Sequence, residues 1–388
     1  MKFNLISFIA LQLPVISLAA TVKNLVVFGD SNSDVGNSQR WSDGSLWSEY
    51  LAAGWNASLY SFAYSGSVCD NAMFKSIEDK TPSLKDQMEA YYNLNLNLKP
   101  EETVYAFWFG VQDIFEMSKR HGRQEPDYKE ILECIGQQLR MARKAFLSNR
   151  YIVLNIAPLG HMPYYQDTVV AINRTQAAVD INRGLEKDVA NMNKHHHALE
   201  MDYVDIHSLV NDINVDPVFF NFTSVSNAYL DECDGDSCKP KDYLWWDKTH
   251  FTTAFHKQIA TSILEAESYM PKAELTSSIV KQLQNVKSRF RSKKYAVPPN
   301  KGVIEQVAKL YDIKKSVPVK PSQLPLEEDM EDYEQSTINQ NNTYVGLFIV
   351  ILIVGGIIAC IKFPNSLISN WIRNKGRGKF IPVRSEDV

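Results

Sequence analysis

Val26-Val27-Phe28-Gly29-Asp30-Ser31-Asn32-Ser33-Asp34-Val35-Gly36-Asn37 is the stretch on which the reading of this chain turns. Three apolar residues read as the end of a buried strand, and the character then changes to small and polar residues. Gly29 and Asp30 make a sharp exit, which leaves Ser31 on the turn, where a hydroxyl can face a cleft. Open α/β sheets hold their ligands at this edge, beyond the carboxyl ends of the strands. The same composition suits an ordinary strand-to-loop turn, since Gly, Asp, Ser and Asn are common turn residues. Later segments decide between the two.

Working outward, apolar runs at 57–63, 103–109, 151–156 and 198–206 predict further strands. Helical spacing predicts helices over 46–53, 82–98, 128–147 and 171–193. In the third of these, Ile131, Cys134, Ile135, Leu139, Ala142 and Phe146 share one side. Apolar strands alternating with helices argue for βαβ units and a mostly parallel sheet covered on both faces. The α/β domain is expected to run over residues 21–270. In the segment 271–343, Leu275, Ile279, Leu283, Val286 and Phe290 form a helical stripe flanked by basic residues. Such a segment can pack on the domain or lie on an anionic surface, with packing the expectation here. From Ser316 onward, Pro, acidic and Gln/Asn residues suggest an extended stalk.

The two ends carry a different signal. Residues 1–20 pair Lys2 with an apolar run and Ser17-Leu18-Ala19-Ala20, the pattern of a cleaved signal peptide. Residues 344–361 are an uncharged apolar run, long enough for a transmembrane helix. Acidic residues precede it, and Lys362, Arg373, Lys375, Arg377, Lys379 and Arg384 follow, so the tail 362–388 is expected to be cytoplasmic. The hydrophilic tail argues against a glycolipid anchor. The expectation is a single-pass type I membrane protein of the secretory pathway, at the cell surface or in a secretory organelle, with its domain extracytoplasmic. Glycosylation sequons begin at Asn56, Asn173, Asn221 and Asn341, all on that side. Of the five cysteines, Cys360 falls in the apolar run. Cys233 and Cys238 flank a tight polar loop where a disulfide fits, and Cys69 and Cys134 can pair or stay buried.

Composition narrows the function classes. A net charge of −4 gives no argument for nucleic acid. No G-x-S-x-G elbow, H-E-x-x-H helix or phosphate-binding glycine loop occurs, which removes three common readings. His195-His196-His197 reads as a solvated face rather than a metal tract. What remains is an ordered series: Gly29-Asp30-Ser31, Gly66, Gly110-x-Gln112-Asp113 and Asp247-Lys248-Thr249-His250. The first three follow strand ends, so they can converge on one sheet edge. A serine needs a base to act as a nucleophile, and His250 can supply it. Asp247 can hold the imidazole tautomer. The backbone N–H groups of Ser31 and Gly66 and the amide of Gln112 are candidate oxyanion donors. Trp41, Trp47, Trp245 and Trp246 lie beside these blocks, as a wall for substrate or as core.

With these blocks in order over roughly residues 24–265, the chain resembles the SGNH (GDSL-type) esterases and lipases. Phe62-Ala63-Tyr64-Ser65-Gly66-Ser67 is similar to the family's glycine block, and Asp247-Lys248-Thr249-His250 to its Asp-x-x-His block. Within the family the pattern looks most like secreted fungal-type and plant-type esterases, including carbohydrate acetylesterases. The resemblance implies a three-layer αβα flavodoxin-like domain and serine ester hydrolysis without metal or cofactor. The implied substrates are small acyl esters, acetylated carbohydrates or lipids. The third block departs from the family, which carries Gly-x-Asn-Asp where this chain has Gln112. The alternative that Gln112 raises is a weakly active or non-catalytic binding protein on the same scaffold.

Overall fold

In the computed structural model the described residues are 21–74, 81–121, 128–166, 168, 170–233 and 238–316. The expected signal peptide 1–20, Asn341, the apolar run 344–361 and the basic tail lie outside them. Among the described residues no helix is long and apolar enough to cross a membrane.

Five parallel strands form one sheet: β1 (Asn24–Gly29), β2 (Ser58–Ser61), β3 (Thr103–Trp108), β4 (Arg150–Leu154) and β5 (Glu200–Val204), in the order β2-β1-β3-β4-β5. Every residue of β3 is buried, as is all of β1 after Asn24. That burial on both faces is why these strands read as continuous apolar runs rather than alternating ones. The helices are α1 (Trp47–Gly54), α2 (Leu84–Leu94), α3 (Val111–His121), α4 (Lys129–Phe146), α5 (Ala171–His195), α6 (Ile206–Val215), α7 (Tyr229–Glu232), α8 (Thr253–Glu265), α9 (Ser277–Gln282) and α10 (Val303–Ser316). α1 packs over β1 and β2 with α8 against it, while α2, α4 and α5 pack together as a second layer, with α10 over α4 and α2. A small parallel pair, β6 (Ser224–Ala228) and β7 (Tyr243–Trp245), stands apart from the main sheet.

Between the sheet and the α2–α4 layer, the rings of Phe28, Phe62, Tyr91, Tyr105 and Phe146 form one aromatic cluster. Fully burying a phenylalanine is worth up to about 3 kcal/mol, so this cluster is a main source of stability. Local signals set the element ends. Ser83 caps α2 in a reciprocal box with Asp86. Asn95 closes the same helix in the left-handed region at φ 44°, short of the 98 expected from sequence. The chain reverses after β2, crosses back and continues through β3. The switch point therefore lies between β1 and β3, whose last residues Gly29 and Trp108 are register partners.

Residues 271–316 pack on the same core, through Leu283, Phe290 and Ile304. The helix expected from their stripe is short. It ends at Gln282, Leu283 and Phe290 are still buried, and Val286 faces solvent. The reason is a competing demand from β2. Leu59 N–H donates to the Arg289 carbonyl and Ser61 N–H to Ser292 Oγ, which a continuous helix could not supply. Downstream, Tyr295 stacks on Phe62 (centroids 4.4 Å apart) and its N–H donates to Asn37 Oδ1. At the far side of the sheet, the Asn193 side chain bonds both the N–H and the carbonyl of Met201.

Phe290→Ala should lower the unfolding free energy by about 3 kcal/mol, from lost burial plus a cavity. Val286→Ala, on the same stripe, should change it by less than about 0.5 kcal/mol because the site is already solvated. Denaturant titration of the two variants checks this; equal losses would restore the continuous helix.

Candidate active site

The strand-end loops converge as their positions at the switch point require. Asp30, Ser31, Asn32, Trp41, Ser65, Gly66, Val111, Gln112, Phe115, Thr249 and His250 line one cleft of about 310 Å³. The proposed nucleophile, base and all three candidate oxyanion donors thus share a single cavity wall. Glycine is needed at two of these turns. Gly66 sits at φ 82° and Gly110 at φ 121°, and a Cβ at Gly110 would lie 2.4 Å from Ile156 Cδ1.

Asp247 and His250 form a close pair. The imidazole Nδ1 lies 2.8 Å from Asp247 Oδ2, while the N–H groups of Thr249 and His250 both donate to Asp247 Oδ1 at 2.8 Å. Burial alone would raise the Asp247 carboxyl, but the hydrogen bonds and charge of His250 outweigh it and leave the group below its ordinary value. An ionised Asp247 fixes the tautomer with hydrogen on Nδ1, so Nε2 is left with its lone pair. Trp41 stacks on the imidazole, centroids 5.0 Å apart and 12° from parallel. Of the four tryptophans named from sequence, Trp41 alone lines the cleft; Trp47 and Trp245 are fully buried and Trp246 stacks on Tyr229. Ser31 makes no hydrogen bond among the described residues, and neither its N–H nor that of Gly66 has a protein acceptor there. Gln112 donates its side-chain amide to Glu116 Oε1 at 3.0 Å.

Several residues that hold this cleft carried no role in the sequence reading. Asp34, fully buried, accepts from the backbone N–H groups of Gly36, Asn37, Ser38, Gln39 and Ser65, and from the Ser65 hydroxyl. Gln87 of α2 accepts from Gly29 N–H and donates to both the Gly29 carbonyl and Ser67 Oγ. It joins the nucleophile turn to the glycine turn. Its signal was present: Gln87 occupies a core-facing position between Leu84 and Tyr91, where an apolar residue is usual. Glu49, buried on α1, takes two bonds from Arg40 at 2.6 and 2.9 Å and fastens the far end of the nucleophile loop. Cys69, just past the glycine turn, is disulfide-bonded to Cys134 of α4, and Cys233 to Cys238. Asn56, Asn173 and Asn221 are all exposed.

Two buried carboxyls, Asp30 in the cleft wall and Asp113 after β3, behave differently from Asp247. Burial pushes Asp30 up to about 6, against the lowering effect of its bonds with Asn32. Asp113 goes up to about 7, again through burial, offset by the Cys69 N–H and reinforced by the nearby Asp30. One oxygen of each is buried without a hydrogen-bond partner among the described residues.

The model of the GDSL-like lipase/acylhydrolase family matches residues 25–263. A thermolabile hemolysin of Vibrio parahaemolyticus is 23% identical over 64% of this chain, which spans 64% of the hemolysin's length. An acetylesterase of Hypocrea jecorina is 25% identical over 63% of this chain and 89% of its own. Among solved structures, a catalytic mutant of an acetylxylan esterase from Geobacillus stearothermophilus covers 65% of this chain and 96% of its own, at 12% identity and a TM-score of 0.40.

The raised Asp113 carboxyl has a consequence for stability. An unfolded aspartate loses its proton near pH 4, whereas the folded one keeps it to about 7, so the folded state binds the extra proton between those values. Stability from this group therefore falls as pH rises through about 4 to 7, and the loss is complete above that window. Asp113→Asn keeps an acceptor for Cys69 and cannot ionise. Thermal melts should show the variant gaining on the parent steadily from pH 4 to pH 7. Parallel melting curves across that range would contradict the assignment.

Proposed function

The chain belongs to the GDSL-like lipase/acylhydrolase family, and on that premise we propose that it is a serine ester hydrolase acting through Ser31, His250 and Asp247. The observation that carries the reading is the Asp247 carboxylate held on Nδ1 of His250, whose ring lines the same cleft as Ser31. In this mechanism His250 Nε2 takes the Ser31 proton as Oγ attacks the ester carbonyl, and Asp247 stabilises the imidazolium that results. The tetrahedral oxyanion is received by the N–H groups of Ser31 and Gly66 and by the Gln112 amide. Collapse expels the alcohol, protonated by His250, and leaves an acyl group on Ser31. Water, deprotonated by the same imidazole, then attacks that acyl ester and regenerates the serine. Trp41 over the ring screens the imidazole from bulk water on that face.

For substrate we favour small acyl esters, acetylated carbohydrates or lipids; the Hypocrea acetylesterase supports the short-acyl end of that range. The setting we propose is a membrane-anchored, extracytoplasmic domain. Its support is the sequence: the signal-peptide pattern at 1–20, the apolar run 344–361 with basic residues after it, and the sequons.

Ser31→Ala should abolish hydrolysis of p-nitrophenyl acetate and labelling by a fluorophosphonate, with the melting temperature nearly unchanged. A parent chain that neither hydrolyses esters of any acyl length nor takes the label would favour the non-catalytic binding reading instead.

The topology is tested separately. Protease added outside sealed vesicles or intact cells should reach either the domain or the tail beyond Lys362, never both. N-glycans should map to Asn56, Asn173, Asn221 or Asn341, and a chain bearing none, or with both ends accessible together, would overturn the type I arrangement.

A further inference from the structure

We propose that Glu116 is a positioning residue for the oxyanion hole: it holds the Gln112 carboxamide so that one N–H is anchored and the other serves the cleft. This rests on the reading of Gln112 as an oxyanion donor. Gln112 and Glu116 stand four apart near the start of α3, the spacing at which side chains on a helix meet. Gln112 Nε2 donates to Glu116 Oε1 at 3.0 Å. A carboxylate only accepts, so this bond fixes which end of the amide is nitrogen, and the amide cannot turn its oxygen to that side. Nitrogen carries two hydrogens; one is used on Glu116, and Gln112 still lines the cleft beside Ser31, Gly66 and His250.

The arrangement answers a problem that glutamine brings. Its side chain has one more rotatable bond than asparagine, and an oxyanion donor helps only if it is in place before charge develops. Tying one N–H to a fixed acceptor removes that freedom. Glu116 can be fixed because it is itself buried, at 8% exposure, on a helix whose Val111, Ile114 and Met117 face the core. A bare carboxylate so close to the cleft would oppose a developing negative charge. Lys119 meets that objection: its Nζ lies 2.7 Å from the same Glu116 Oε1. The ammonium offsets the charge while the oxygen remains an acceptor. Lys119, Glu116 and Gln112 thus form a short relay along one side of α3, ending at the cleft.

The test compares two substitutions of nearly equal volume. Glu116→Met keeps the packing and has no strong acceptor, whereas Glu116→Gln keeps an acceptor oxygen without the charge. Glu116→Met should lower kcat for p-nitrophenyl acetate by about tenfold to a hundredfold with KM little changed, as expected for a misplaced transition-state contact. Glu116→Gln should recover most of that loss. In a Gln112→Ala background, Glu116→Met should cost nothing further, because the group it positions is gone. A kcat for Glu116→Met equal to or above the parent overturns the proposal, as does a loss that multiplies with that of Gln112→Ala. The outcomes separate the two levels. If Gln112→Ala alone is as fast as the parent, the oxyanion reading of Gln112 falls, and this inference with it. If Gln112→Ala is slow but Glu116→Met is not, only the inference falls.

Discussion

A single buried carboxylate organises the front of this molecule. Asp34 takes five backbone N–H groups and one hydroxyl, four of the N–H groups from its own loop and the rest from Ser65. An ion out of water costs several kcal/mol unless its lone pairs are filled, so the loop must wrap around it rather than extend into solvent. The same anion draws in the turn that carries Gly66. Without it, five amide groups would lose an acceptor at once, and the two turns that frame Ser31 would have no common anchor. Gln87 and the Arg40–Glu49 pair then fasten the loop from below and from its far end. The serine is held by this scaffold, while making no hydrogen bond of its own among the described residues.

Three aspartates around one cleft show how environment sorts a single residue type. Asp247 lies beside an imidazole and two amide donors, and its charge is favoured. Asp30 and Asp113 lie under the turns, each with one oxygen unpartnered among the described residues, and burial favours their protons. The difference follows from the donors available. Asp247 hydrogen-bonds directly to a cation-capable partner, whereas Asp113 meets the field of Asp30, and at Asp30 burial outweighs the lowering effects of the Asn32 bonds and the His250 charge.

The sheet was largely legible from sequence because both of its faces are covered. A strand such as Thr103–Trp108, with no residue exposed, can only read as an unbroken apolar run. The candidate site was legible because its members stand in polar loops that follow apolar strands, and the structure brings Ser31, Gly66, Gln112 and His250 to one cleft. What escaped was whatever depends on tertiary partners. α3 was hidden because Val111-Gln112-Asp113 reads as a continuing turn, although Val111, Ile114 and Met117 recur at a helical interval. The stripe from Leu275 to Phe290 matched a helix in every spacing, yet β2 required hydrogen-bond acceptors there and broke it. Gln87 and Asp34 are polar residues whose importance lies in backbone groups far along the chain, which no local pattern encodes.

The hydrogen bonds along the two outer strands bear on how these molecules behave toward one another. A parallel sheet with bare margins offers a template on which a second chain can add a strand, and crowding makes such addition faster. Here the Arg289 carbonyl and Ser292 Oγ occupy Leu59 and Ser61 on one margin, and Asn193 occupies both polar groups of Met201 on the other. Each margin is thereby blunted by the molecule's own residues, and part of that protection comes from a segment beyond the matched family region. A chain trimmed to that region would keep every member of the candidate triad and yet expose β2. Its first failure would be colloidal rather than chemical, with self-association setting in while the cleft remained whole.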